Sequence, residues 1–408
     1  MHCLLINSLV IKTLSIPTAE KRRITFIDLL RAFAILMMLQ GHFTDTLLDV
    51  AYRDPNNVIY STWLFMRGLT APVFFFASGL IFVFLLLRDG RPFRQNERVL
   101  KGLRRGLSLI VIGYVLRMSF PSLLQFKIYG GLFTVDVLHC IGLAILSLIG
   151  LYLLSQRLRV SYPWALTIVG LMVFYIHPTM AAADWDALPL ALRNYFTQDY
   201  GSVFTPIPWI GYTMLGGVLG SVLHRRPVLA FGQWLPLALL ALGFLLHFQS
   251  DKMLLNLFHL TGMHNFYAHA HNNFILYRLG HVFIAVAAFI WIAQLWQTIP
   301  KLLLRIGSET LVIYEVHFVL LYSTWFGIGL SRYWYRSLGP WEVFFGALLF
   351  ELFFVLLIAH IDAIRKFNWQ WLKRNAPVAW QWLSTQAVFA WRLARVRVVR
   401  LYHRLAYG

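Results

Sequence analysis

Ten apolar stretches run along the chain, separated by short polar segments: residues 24–43, 61–87, 106–120, 135–154, 162–177, 207–223, 229–248, 274–296, 302–325 and 342–364. Most approach the ~20 residues that a helix needs to cross ~30 Å of hydrocarbon. The third and fifth are shorter. The pattern predicts an all-α fold, a polytopic transmembrane helix bundle of about ten helices that occupies residues 24–364. In the segment 1–23 an apolar piece precedes Lys21-Arg22-Arg23. A signal peptide has the reverse order, so this segment reads as a cytoplasmic leader. The segment 365–408 is basic and rich in tryptophan (Trp369, Trp371, Trp380, Trp382, Trp391). That pattern predicts an interfacial amphipathic helix on an anionic inner leaflet.

Composition agrees with the hydropathy. Of 408 residues, 59% are hydrophobic and 13% charged, about half the charged share of a soluble domain (~25%). The formal charge of +19 would suit nucleic acid if it lay on one polar surface. It lies instead between the apolar stretches, so nucleic acid is excluded as a partner. Arg88, Arg91, Arg94, Arg98, Lys101, Arg104 and Arg105 crowd one connection, whereas Arg53, Lys127, Arg193, Lys252, Arg332 and Arg336 are spread thinly over the alternate ones. The positive-inside rule then places both termini in the cytoplasm of a multi-pass protein of the plasma (inner) membrane. It also accounts for the 88–105 arginines without a ligand. Cys3 and Cys140 are the two cysteines, which form neither a disulfide framework nor a zinc-ligand spacing.

Ionisable side chains inside a bilayer are costly, and each points to a partner or a task. The first span carries Asp28, Arg31 and His42, with Asp45 just beyond. Asp28 and Arg31 are close enough to pair, and the step from Arg31 to His42 is nearly three turns, so the four fall near one face. A mutual neutralisation of Asp28 and Arg31, with His42 as an end cap, is the plain alternative. The second span holds Arg67, then Pro72, which predicts a kink, then Ala77, Ser78 and Gly79, which suit close helix packing. Asp136 and His139 open the fourth span at a spacing of three. Thr310, Tyr314 and His317 form one stripe of the ninth, beside Glu309 and Glu315. His42, His139 and His317 all fall in the outer half, which predicts a shared cavity. His259, His264, His269 and His271 lie in one outer loop, but no carboxylate or cysteine joins them at ligand spacing. That loop reads as polar, and no metal is expected.

Five blocks in order resemble one family. They are Ile27-Asp-Leu-Leu-Arg-Ala-Phe-Ala-Ile-Leu-Met-Met-Leu-Gln-Gly-His42, Ala71-Pro-Val-Phe-Phe-Phe-Ala-Ser-Gly79, Val135-Asp-Val-Leu-His-Cys-Ile-Gly142, Pro208-Trp-Ile-Gly-Tyr through Gly216, and Gly307-Ser-Glu-Thr-Leu-Val-Ile-Tyr-Glu-Val-His317. Together they resemble the heparan-alpha-glucosaminide N-acetyltransferase-like family, within a wider membrane acyltransferase group that includes the acyltransferase-3 family. Ala32 and Gly41 stand where the bacterial members place Gly and Asp, and no histidine occurs over residues 43–70, where the lysosomal enzyme has its catalytic one.

The resemblance implies transfer of an acetyl or other acyl group from cytoplasmic acetyl-CoA (or another acyl-CoA) to a sugar hydroxyl or amine of a glycan or other acceptor at the outer face. On that basis the catalytic candidates are His42 as general base, His317 as a second acid/base or substrate contact, and Asp45 or Asp136 as orienting carboxylates. Asp28, Arg31, Arg67 and Tyr314 are the candidates for holding the donor. A proton-coupled transporter is the alternative of another class, since transporters also carry intramembrane charges. A non-catalytic membrane protein of the same fold is a third.

Overall fold

The computed structural model describes residues 24–91, 93–296, 298–367 and 371. The expected leader (1–23) lies outside them, as does nearly all of the expected tail. Among the described residues the helices are α1 (Thr25–Leu47), α2 (Val58–Arg67), α3 (Thr70–Arg88), α4 (Glu97–Leu116), α5 (Phe120–Leu124), α6 (Val137–Leu158), α7 (Tyr162–Ala182), α8 (Leu190–Arg193) and α9 (Pro206–Arg225). They continue with α10 (Trp234–Thr261), α11 (His264–His271), α12 (Phe274–Leu295), α13 (Lys301–Ser308), α14 (Thr310–Tyr322), α15 (Thr324–Gly327), α16 (Leu330–Trp334) and α17 (Pro340–Ala359). The chain divides into two compact units, residues 1–351 and 352–408; the cavity and the joints around it belong to the first.

The all-α, polytopic bundle is what the hydropathy predicts. Among the described residues eight helical spans are long and apolar enough to cross a membrane, and each coincides with an expected one. The other two expected spans differ for identifiable reasons. α4 starts well before residue 106, so Arg98, Lys101, Arg104 and Arg105 lie on the helix itself; long basic side chains run along an apolar surface and keep their charge in water. Asn96 caps its start by accepting from the Arg98 backbone N–H at 2.8 Å. The stretch 302–325 is one apolar run in sequence but three helices in space. It breaks at Glu309 (φ −97°, ψ 26°) between α13 and α14. It breaks again after Tyr322, where Ser323 and Trp325 have φ of 56° and 62°.

The expected kink at Pro72 also moves. The break falls at Gly68–Leu69, between α2 and α3. Pro72 sits in the first turn of α3, where the missing N–H has no intrahelical acceptor to lose. Without a hydrophobic drive between helices in lipid, close backbone approach is a main source of packing energy. α3 lies against α9, where a Cβ on Gly216 or Gly220 would strike the carbonyl oxygen of Phe76 or Leu80. Gly79 meets Thr213 in the same way. α1 is enclosed by its neighbours. It packs against α3, α12, α13 and α14, and Leu30, Ala34, Ile35 and Leu39 are buried along it.

Candidate functional site

The two ends of α1 hold different polar groups. Near its start, the Arg31 guanidinium donates to Thr310 Oγ1 at 3.1 Å, across to the first residue of α14. One turn earlier, the Asp28 backbone carbonyl lies against Gly307, so closely that a Cβ there would collide with it. This is the joint where the broken helix α13–α14 meets α1. Near the other end of α1, His42 Nδ1 lies 3.3 Å from His317 Nε2 and 2.8 Å from the Tyr322 hydroxyl. α14 therefore runs parallel to α1, and Thr310 and His317 answer to Arg31 and His42 in turn.

A cavity of about 840 Å³ opens beside His42, within the ~300–1,000 Å³ of small-molecule sites. His42, Asp45, Arg67, Asp136 and Tyr314 line it. His317 does not: it is fully buried behind His42. Asp28 and Arg31 are also outside the lining, a correction to the single continuous stripe that the spacing on the first span suggests. The helix faces do align, but Arg31 turns to α14 while His42 turns to the cavity.

The carboxylates are placed differently from the sequence expectation. Neither Asp45 nor Asp136 has a hydrogen bond to His42 among the described residues. Asp45 forms an ion pair with Arg67. Gly41 makes that reach possible: a Cβ there would lie 3.1 Å from Arg67 Cγ, so the departure from Asp at this position leaves room for the arginine stem. Asp136 caps α6. Its Oδ1 accepts from the Leu138 backbone N–H at 3.0 Å and lies 3.0 Å from His139 Nδ1. Its Oδ2 accepts from Arg117 Nε at 3.3 Å. His139 is fully buried and ring-packed on Tyr114, so it backs the cavity wall rather than facing it. The groups that orient His42 are Tyr322 and His317.

Arg117, Tyr322 and Trp325 belong to the lining without a prior signal, and Trp209, from the Pro208–Gly216 block that carries the resemblance, joins them. Arg117 follows the last residue of α4 and looks like an ordinary interfacial arginine in sequence. The aromatic residues are too common in this chain to stand out. The Trp325 indole donates to the Val115 carbonyl at 2.9 Å, and its backbone N–H donates to the Met118 carbonyl at 3.1 Å. These bonds hold a left-handed tryptophan, a conformation that costs about 1–3 kcal/mol, against the cavity. Away from the site, the histidine-rich segment predicted as a loop contains a short helix, α11, and His269 Nε2 lies 2.7 Å from the Phe174 carbonyl.

An α-helical membrane bundle with an aromatic-walled cavity that several charged side chains border, at one end of an enclosed span, defines the class: a polytopic membrane protein with a cavity of small-molecule size. The family follows from the sequence match. The family model of the heparan-alpha-glucosaminide N-acetyltransferase catalytic domain matches residues 23–261, more than half of the chain, and the chain belongs to that family of membrane acetyltransferases. No curated protein matches the chain in sequence. The matched segment contains His42, Asp45, Arg67, Arg117 and Asp136; Tyr314, His317 and Tyr322 lie beyond it.

Proposed function

We propose that this protein is an integral-membrane acyltransferase of the plasma (inner) membrane. It moves an acetyl or other acyl group from cytoplasmic acyl-CoA to a hydroxyl or amine of a sugar acceptor at the outer face. The charge distribution supports this orientation, with both termini in the cytoplasm. The end of α1 that carries His42 and the cavity is then the outer one.

One observation carries the reading. His42 lines the cavity with Nδ1 facing His317 and Tyr322, and its Nε2 has no partner among the described residues. In the reacting tautomer Nδ1–H donates to the Tyr322 hydroxyl, the nearer of its two neighbours, and the Nε2 lone pair faces the acceptor. Nε2 takes the acceptor proton as that acceptor's oxygen or nitrogen bonds to the thioester carbonyl carbon. The C–S bond then breaks, and the imidazolium returns the proton to the departing thiolate. A neutral imidazole suits both transfers near pH 7. Arg67 and Arg117 are the cations on hand for the developing oxyanion. Tyr314 adds a phenol to the lining, and its hydroxyl is a hydrogen-bonding group for the donor. Asp28 and Arg31 serve the α1–α14 joint rather than the donor.

Purified protein should be stabilised by acetyl-CoA and should transfer label from it to sugar acceptors. His42→Ala should keep the stabilisation and lose the transfer. Unchanged turnover in that variant removes His42 from the mechanism. The break at Glu309 favours a second reading, since interrupted helices also build transport sites. Substrate uptake into vesicles lacking CoA would select transport instead.

A further inference from the structure

α2 has no buried residue, yet it ends on Arg67, which lines the cavity and pairs with Asp45. Such a helix gains little from packing, so its last turn depends on polar contacts. The last four carbonyls of an α-helix have no partner guaranteed by the helix itself. In α2 all four are accounted for. The Leu64 carbonyl accepts from the Gly68 N–H at 3.0 Å, and the Met66 carbonyl from the Leu69 N–H at 3.1 Å. The Arg67 carbonyl accepts from the Thr70 hydroxyl. The Phe65 carbonyl accepts from Arg278 Nη1 at 3.1 Å. The first three donors follow directly on the helix end; Arg278 comes from α12.

Arg278 lies in the apolar stretch 274–296, where a charge needs a partner or a route to water. Its guanidinium sits 5.1 Å over the Phe65 ring and 6.0 Å over the Phe274 ring. The aromatic faces favour a cation, and so does the negative end of the α2 dipole. Gly68 lets it in: a Cβ there would strike the guanidinium. Gly68 and Phe274 line the cavity, and Arg278 does not. It stands behind the wall and touches the helix end rather than the space a substrate would fill.

We propose that Arg278 is a positioning residue for Arg67: it clamps the end of α2 and so holds the Arg67 guanidinium at the cavity, where the oxyanion develops. This deepens the acyl-transfer reading of the same cavity and rests on it. The clamp serves an amine and a hydroxyl acceptor alike, because in both cases the negative charge develops on the thioester carbonyl oxygen. A cation held in place beforehand stabilises that charge without reorganising at the moment of reaction. On a helix end with no buried side chain, that fixity has to come from a contact such as Arg278.

The test compares the full chain in detergent with Arg278→Met, Arg67→Met, the double variant and Gly68→Ala. Methionine keeps an unbranched apolar stem and removes the donors. Hydrogen–deuterium exchange comes first, since it needs no acceptor. Arg278→Met should speed exchange of the Gly68 and Leu69 amides about tenfold, the worth of a hydrogen bond from a charged group, and leave α1 unchanged. Unaltered exchange at the α2 end overturns the clamp. Turnover is then read as acetyl transfer from acetyl-CoA to glucosamine, which offers an amine and hydroxyls. Arg278→Met should lower kcat about tenfold, with KM for acetyl-CoA unchanged. In the Arg67→Met background it should change kcat by no more than about twofold; a merely structural loss would appear in both backgrounds. Gly68→Ala should match Arg278→Met, because the methyl displaces the guanidinium, although alanine favours a helix more than glycine does. Equal losses in the two backgrounds, or wild-type turnover in Gly68→Ala, overturn the proposal. A wild-type protein neither stabilised by acetyl-CoA nor active removes the acyl-transfer reading, and with it the role of Arg67, while exchange still decides the clamp.

Discussion

The start and the end of α1 carry the same kind of signal in sequence and do different things in space. Each has an acidic residue and a basic one, Asp28 with Arg31 and Asp45 with His42. At the start, Arg31 is bonded to Thr310 and the backbone of Asp28 is pressed on Gly307. At the end, His42 and Asp45 border a cavity. A polar group in a membrane helix must find a partner, and that demand is met equally well by a tight joint or by a binding site. Spacing along the helix cannot separate the two. What separates them is whether neighbouring helices close over the group, and α14 does so at its first turn and opens at its last.

The contrast predicts opposite responses at the two ends. His42→Ala should lower turnover by about 10²–10⁴-fold, the usual worth of a positioned acid–base group. Its unfolding temperature in detergent should stay near wild type. Gly307→Val reverses the pattern. The new side chain meets the Asp28 carbonyl, and overpacking of this kind costs ~1–3 kcal/mol. Thermal unfolding should shift downward while turnover per folded molecule holds. If Gly307→Val instead left stability intact and abolished turnover, the joint would have to be counted as part of the site.

A smaller effect tests the cavity end alone. Tyr322→Phe removes the hydroxyl 2.8 Å from His42 Nδ1 and leaves the ring. Loss of one orienting hydrogen bond, ~1.4 kcal/mol, corresponds to about a tenfold fall in kcat, with KM little changed because the hydroxyl does not hold the acceptor. A KM effect with constant kcat would place Tyr322 in substrate binding instead.

Much of the architecture is legible in the sequence. The all-α membrane bundle and eight of its spans follow from apolar runs whose length is fixed by the thickness of hydrocarbon. His42, Arg67 and Asp136 stand out because an ionisable group in such a run is expensive, and Asp45 because it follows the first run on the same helix face. The break at Glu309 is hidden, since the run 302–325 stays apolar on both sides and only the short Gly307-Ser308-Glu309 interrupts it. Arg117 is hidden by its place near a span end, where a long basic side chain can reach water without any special partner. Tyr322 and the aromatic wall are hidden by abundance: with 33 Phe, 18 Tyr and 15 Trp in the chain, no one ring carries information until its neighbours are known. The expectation that Asp45 or Asp136 orients His42 rests on closeness along the chain for Asp45 and on a shared place at the outer end of the spans for Asp136. The arginines that claim them arrive from α2 and from the end of α4.

The finest test is Thr310→Val. Thr310 is buried, and its hydroxyl accepts from Arg31 across the joint. Valine keeps the branched shape and removes that acceptor. Polar contacts between membrane helices average only ~0.6 kcal/mol, because the unfolded reference state in the membrane also finds partners for its polar groups. The expected result is therefore a small downward shift in thermal unfolding, with kcat and KM at wild-type values. The variant is informative because it changes the Arg31 end without touching the cavity. Should its turnover fall as far as that of Tyr322→Phe, the signal must pass along α14 from its first turn to its last. The joint would then set the geometry of His317 and His42, and the two ends of α1 would have to be treated as one device.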